Sequence, residues 1–599
     1  MDISDYLLST PSNEKWKKIG TRRRAGILMP LFSIHSSSSV GTGDFHTLKY
    51  MADLCRKIGC TILQILPLNY PGADNCPYNA ISSFAIDPVY ISLEDFFYNG
   101  FSFSNSLIRQ LHYCYLPGKN HRCNYIAREI KLNLLNEVFL KFFDDICSDK
   151  KFLSFTEQNQ YWLDDFAIYR VLKKINNDEP WYNWEKCFSE KNKEKIAQIE
   201  YSCRKEVLFE KWIQYICFNQ LVDVRQYIRK KDVLFMGDMP VLASKDSADV
   251  WSKRSLFDLE FVAGAPPDMY CVFGQRWGMP VQNWDNVRKT NFEYIAKKMK
   301  YLDNFFDMIR IDHVVGFFRI WAIPATEPEE NQGINGVFIP QDESQWKSHG
   351  KEILSNMNQF SKSLLCGEDL GIIPSVCTET LKELGILGYE VQRWKKNYGT
   401  NYSFIPFTEY RELAISTLST HDTSFWIEWL VHEAGTVDRD LFALKCKRAG
   451  ISPEPVIEYF FEKSNRPDRL RWKKEISKSK IFEILGDSTR EFLEIYTDTF
   501  YEKENLLTLL GMTECGEISC LKKALQSILQ GSSIFCINLL TDMFCIDPFI
   551  CSQISHLRIN KPGTSGLQNW SFAFEQSLEE LMENPVVADL REMVKNSGR

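Results

Sequence analysis

Short apolar runs punctuate the chain, each ending in polar residues or prolines. They fall at 25–31, 61–67, 233–238, 308–313, 364–369, 388–393, 414–422 and 534–540. Runs of this length bounded by turn residues fit strands buried on both faces, as in a parallel sheet. Helical periodicity lies between them. Over 45–58, Phe45, Leu48, Met51, Ala52, Cys55 and Ile58 fall on one face, with Asp44 as N-cap and Gly59 as the stop. Residues 291–306 and 375–384 read the same way. Eight strands alternating with helices predict an α/β protein, a (β/α)8 TIM barrel spanning 25–572.

A plain barrel needs about 250 residues, so a chain of 599 must carry large insertions. The strand spacing predicts mostly helical subdomains at 90–232, between the second and third strands, and at 425–530, between the seventh and eighth. Residues 1–24 form a lead-in and 573–599 a C-terminal helical tail. No repeat or low-complexity segment interrupts this order.

Composition narrows the function. A net charge of −7 argues against nucleic acid, whose affinity comes from phosphate neutralisation. No apolar stretch is long enough to span a membrane. The N-terminus is acidic where a secretory signal would be basic. The 18 cysteines are scattered without zinc-site spacing. These features predict a cytoplasmic protein, a monomer or weak homo-oligomer, with reduced thiols. Motif searches are negative elsewhere: Gly41-Thr42-Gly43 meets His46 where a dinucleotide site needs glycine, and no phosphate loop, zinc helix or nucleophile elbow is complete.

Chemistry in a barrel sits at the C-terminal ends of its strands. Three runs end there in acids: Arg310-Ile311-Asp312-His313, Gly367-Glu368-Asp369 and Ser419-Thr420-His421-Asp422. Alternation puts Arg310 and Asp312 on one face, where the arginine favours the ionised aspartate that a nucleophile requires. Glu368 then serves as general acid, with Asp369 next in line. Any one of these acids alone fits a surface salt bridge or a helix cap. Three at strand ends point to glycoside chemistry, which places paired carboxylates about the scissile bond.

These motifs resemble the catalytic signatures of the α-amylase clan, and their surroundings resemble one member, the 4-α-glucanotransferase (amylomaltase) family. The matching segments are Gly237-Asp238-Met239-Pro240, Asp246-Ser247-Ala248-Asp249-Val250-Trp251, Ala263 to Asp268, Gly274-Gln275-Arg276-Trp277-Gly278, Cys76-Pro77-Tyr78, Arg558 to Thr564 and Asn569-Trp570. The resemblance implies Asp312 as nucleophile, Glu368 as acid/base and Asp422 as transition-state stabiliser. It implies that Arg310, His313 and His421 orient the nucleophile and hold sugar hydroxyls, and that Asp238, Tyr78, Asp268, Gln275 and Trp277 line the donor and acceptor subsites. Its substrates would be maltodextrins, glycogen or other α-1,4-glucans, with no metal and no organic cofactor. The chain departs from the family pattern at Cys76, Met269-Tyr270-Cys271 and Met279, in the lid and subsite segments. Residues 264–284 are the expected lid over the site, with Gly274 and Gly278 as pivots and Tyr270, Phe273 and Trp277 as stacking surfaces. Two alternatives stay open: a clan hydrolase that uses water as acceptor, and a glycan-binding protein without activity.

Overall fold

A computed structural model describes residues 2–268, 271–462, 466–514, 516–564 and 566–599. Eight parallel strands form the frame: β1 (Arg24–Leu28), β2 (Ile62–Gln64), β3 (Leu234–Met239), β4 (Met308–Ile311), β5 (Leu364–Gly367), β6 (Gly388–Val391), β7 (Ala414–Thr417) and β8 (Phe535–Leu539). They pair in the order β6-β7-β8-β1-β2-β3-β4-β5, and a parallel bridge between Cys366 and Leu387 joins the two ends into a ring. Every expected apolar run coincides with one strand to within a residue or a few at each end. Their residues are almost all buried, because side chains fill the interior and helices cover the outside.

The outer ring comprises α1 (Phe45–Ile58), α2 (Arg204–Lys230), α3 (Glu293–Leu302), α4 (Trp346–Phe360), α5 (Ser375–Leu384), α6 (Glu517–Gln530) and α7 (Val586–Asn596). Asp44 caps α1 by accepting from Thr47 N at 3.1 Å, and Gly59 ends it at φ 93°, a conformation that favours glycine. Neighbouring helices are tied by polar pairs: Tyr227 to Asp53 between α2 and α1, Lys347 to Glu379 between α4 and α5, and Lys522 to Asp589 between α6 and α7. The expected strict alternation fails once. Only short 3-10 turns, Gln392–Trp394 and Phe407–Glu409, connect β6 to β7. The lead-in folds as two helices, Ile3–Ser9 and Asn13–Ile19, that cover the strand N-termini. There Trp16 Nε1 donates to Gly385 O at 2.9 Å and its ring lies 5.9 Å from that of Phe535.

The insertions differ in part from expectation. The 90–232 stretch is helical, but its last helix, Arg204–Lys230, is α2 of the barrel ring. The 425–530 stretch is not purely helical. It carries a small antiparallel sheet (Val437–Asp438, Arg469–Trp472, Phe461–Glu462) around its own core of Phe442, Phe460, Trp472 and Phe492. Its last helix is α6. The C-terminal tail likewise supplies α7, packed beside α1 and α6.

A four-stranded antiparallel sheet was not foreseen. It joins Gln275–Gln282, Phe257–Ala265, Ile320–Pro324 and Val337–Ile339 in that order, drawing on the connections after β3 and β4. Within the expected 264–284 segment, Gln275–Gln282 pairs antiparallel with Phe257–Ala265, so its described part belongs largely to a β-hairpin. Gly274 (φ 64°) sits at its turn, and a Cβ there would come within 2.4 Å of Ala265 O, so close packing and the left-handed backbone both call for glycine. Met269 and Tyr270 lie outside the described residues. No helix among the described residues is long and apolar enough to cross a membrane.

Candidate active site

Strand register assembles the site. Asp238 of β3 pairs with Arg310 of β4, which pairs with Cys366 of β5, so the ends of three strands converge. The backbone ladder continues past them: Asp312 N donates to Met239 O at 3.1 Å, and Glu368 N to Ile311 O at 2.9 Å. At the bottom, Arg310 Nη1 meets both oxygens of Asp238 at 2.9 and 2.8 Å. The same nitrogen lies 3.0 Å from Asp312 Oδ1, and Nη2 lies 3.9 Å from Glu368 Oε2. Burial alone would weaken the Arg310 charge, but Asp238, Tyr78, Asp312 and Glu368 outweigh it and hold the guanidinium protonated. Exposure increases toward the mouth: the Asp238 side chain is 0% exposed, Glu368 12%, Asp312 26% and Asp422 42%.

Glu368 accepts a hydrogen bond at each oxygen, from His313 N at 3.0 Å and Leu370 N at 2.9 Å. His313 reaches this position in a left-handed conformation, φ 42° and ψ 53°, which is rare for a non-glycine residue and typical of functional turns. Burial pushes the Glu368 carboxyl up to about 8, and nearby Asp312 adds to the rise while Arg310 opposes it. A carboxyl that stays protonated at neutral pH suits a general acid. Asp369 is excluded from that role. Its carboxylate turns to Tyr389 N at 2.7 Å and to Arg411 Nη1 at 2.6 Å, and it is absent from the cleft wall.

Tyr78 comes from the segment after β2, which doubles back through bridges at Asn69–Ile86 and Pro71–Ala80. Its hydroxyl donates to Asp238 Oδ2 at 2.8 Å, and its ring stacks on His421 at 5.3 Å and 11°. Asp422 follows β7; its Oδ2 lies 3.4 Å from His421 Nε2 and its Oδ1 accepts from Asn560 Nδ2 at 2.7 Å. On the opposite wall, Trp277 stands edge-on to His313 at 4.8 Å and donates to Gln275 Oε1 at 2.9 Å. Burial pushes His313 down to about 4, so at neutral pH its imidazole is uncharged and can both donate to and accept from sugar hydroxyls.

One cleft of about 1560 Å³ exposes Tyr78, Gln275, Trp277, Asp312, His313, Glu368, His421 and Asp422 together. Arg310 and Asp238 lie beneath its floor. Met279 and Cys76 are in the wall, whereas Cys271 is not. Asp268 is also not brought to the cleft. It sits exposed at the hairpin tip, where its carboxylate accepts from Cys271 N at 2.6 Å and so braces the turn. Asn560 and Trp570 complete the site without having been assigned a role from sequence. Trp570 lies 5.6 Å from the Tyr78 ring and 5.9 Å from that of His421. Their only sequence signal was membership of the Arg558–Thr564 and Asn569-Trp570 matches.

Residues 29–577 match the family model of glycoside hydrolase family 77, described as 4-alpha-glucanotransferase. A 4-alpha-glucanotransferase of Chlamydia pneumoniae is 31% identical over 592 residues, covering 97% of each chain. One from Chlamydia trachomatis serovar D is 30% identical over 587 residues, covering 96% of each. In fold, the chain is similar to the amylomaltase from Streptococcus agalactiae in complex with acarbose, at TM-score 0.73 and 22% identity over 96% of this chain and all of that one. With a family match across nearly its whole length and three acids gathered in one barrel-end cleft, the chain belongs to the 4-alpha-glucanotransferase family.

Proposed function

We propose that the transfer runs as a retaining double displacement on Asp312. Asp312 attacks the anomeric carbon, the bond to the leaving oxygen breaks, and the Glu368 proton passes to that oxygen. The glucan is then held as an ester on Asp312. A second glucan displaces the departed one, and Glu368, now a base, takes the proton of its 4-hydroxyl as that oxygen attacks and Asp312 leaves. Asp422 faces the positive charge that develops on the sugar in both steps, oriented by Asn560. The observation that carries this reading is Glu368: mostly shielded from solvent, held at both oxygens, and placed with Asp312 against one guanidinium. Protonation of Glu368 is needed only for the first step, so its rise to about 8 predicts that kcat/KM for maltotriose falls as pH passes upward through that value. Glu368→Gln should remove this alkaline limb from the residual activity. A limb that persists unchanged would assign it to another group.

We also propose maltodextrins and glycogen-type chains as donor and acceptor. The cleft exceeds the ~300–1,000 Å³ of ordinary small-molecule pockets, which supports an oligosaccharide occupant. Transfer and hydrolysis are separated by counting reducing ends in purified enzyme with maltotriose: transfer redistributes chain lengths at a constant number of ends, whereas hydrolysis adds ends. The expected result is a ladder of longer and shorter oligomers with little gain in ends.

The hairpin arm over the site would favour a sugar hydroxyl over water. Trp277 packs with Ala263, Val281, Ile320 and Ala322 on one side and with His313 on the other. Trp277→Ala should therefore lower thermal stability and also raise, several-fold, the new reducing ends per transfer event. A folded variant with an unchanged ratio would show that the arm only packs.

A further inference from the structure

The loop 419–424 carries both His421 and Asp422 and is clasped at both ends by one side chain. Arg393, just past β6, is 5% exposed. Its Nη2 donates to Ser419 Oγ at 2.7 Å and to Ser424 O at 2.9 Å, and its Nη1 donates to Ser424 Oγ at 3.0 Å. Within the loop, Thr423 Oγ1 donates to Thr420 O at 3.0 Å and accepts from Thr420 N at 3.1 Å, so the intervening turn is already stiff. What remains to be set is the placement of that turn relative to the barrel. Asp542, past β8, supports the other side by accepting from Trp426 N at 2.7 Å.

A buried guanidinium is costly unless a carboxylate meets it directly. Among the described residues none forms a salt bridge with Arg393; Glu433 and Asp542 act on it only through space. The ring of Trp429, 5.3 Å away, covers one face. A residue serving packing alone would be met by an apolar side chain. Here the charge is retained and its forked donors go to the two ends of one loop, a geometry that a single ammonium cannot reproduce.

We infer that Arg393 is a positioning residue for the transfer reaction, fixing the loop 419–424 so that Asp422 faces the reacting sugar. This rests on the reading of Asp422 as the group that stabilises the transition state. Arg393→Lys keeps the charge but loses the fork. It should lower kcat on maltotriose by about 100-fold, the scale of a misplacement of about 1 Å, while KM changes little. The decisive comparison measures the substitution on an α-maltotriosyl fluoride donor in both the wild-type enzyme, where a comparable loss is expected, and an Asp422→Asn enzyme. There Arg393→Lys should change the rate by less than about threefold, because the coupling partner is already gone. If the full loss recurs in that background, or if only KM moves, Arg393 is not acting through Asp422 and the inference falls. An Asp422→Asn enzyme with near-normal turnover would overturn the Asp422 reading itself, and the clamp with it. Should Arg393→Lys not fold, the Ser419→Ala/Ser424→Ala pair removes the hydroxyl partners and takes the same two measurements.

Discussion

Glu368→Gln is expected to slow transfer from maltotriose by about 10³- to 10⁴-fold while sparing much of the first step on an α-maltotriosyl fluoride. A sugar alkoxide is a poor leaving group and needs the Glu368 proton; fluoride leaves with little protonic help. The substitution is close to isosteric, but not neutral for the surroundings. Both carboxyl oxygens accept backbone N–H groups, from His313 and Leu370. The amide must present its NH2 to one of them, which replaces an attractive contact with donor facing donor. The melting temperature should therefore drop modestly, and rates belong well below it. Equal losses on the two donors would make Glu368 a structural residue. Since Asp369 is committed to Arg411 and Tyr389, no neighbouring acid stands ready to replace it.

Asp312→Asn should behave differently, losing turnover of both donors by more than about 10⁴-fold, since no leaving group compensates for a missing nucleophile. The fold should survive. Asp238 still meets Arg310 with both oxygens, so the guanidinium is not left unpaired, and the Asp312 side chain is partly exposed. Comparison of the two variants on the fluoride donor separates the roles: activity persists without the acid and vanishes without the nucleophile. An Asp312→Asn enzyme that still uses the fluoride at an appreciable rate would require a different nucleophile.

The barrel was legible in the sequence for a physical reason. A strand covered on both faces is apolar over most of its length, so 308–311, with Arg310 as its one charged residue, and 364–367 stand out against their polar flanks, and the acids that follow them mark the mouth. The elements that escaped notice lack such a signal. Phe257–Ala265 mixes Asp258 and Glu260 with apolar residues and lies in an outlying sheet where its middle, 258–261, is only partly covered. Phe461–Glu462 is too short to show any period. Asp268 was expected in a subsite, but its hydrogen bond to Cys271 N belongs to a turn whose geometry the residue string does not encode. Arg393 was visible only as the end of the sixth run. Its contact with Ser419 and Ser424 depends on how the ends of β6 and β7 meet, which is a property of the closed barrel.

The central claim is that the moving glucan is carried on Asp312. Glu368→Gln enzyme, given α-maltotriosyl fluoride without an acceptor, should form the ester faster than it loses it, because deglycosylation lacks its base. Intact-protein mass spectrometry should then show one added maltotriosyl group, and peptide mapping should place it on the peptide containing Asp312. Consumption of the fluoride with no adduct, or an adduct on a peptide other than that of Asp312, would contradict the account.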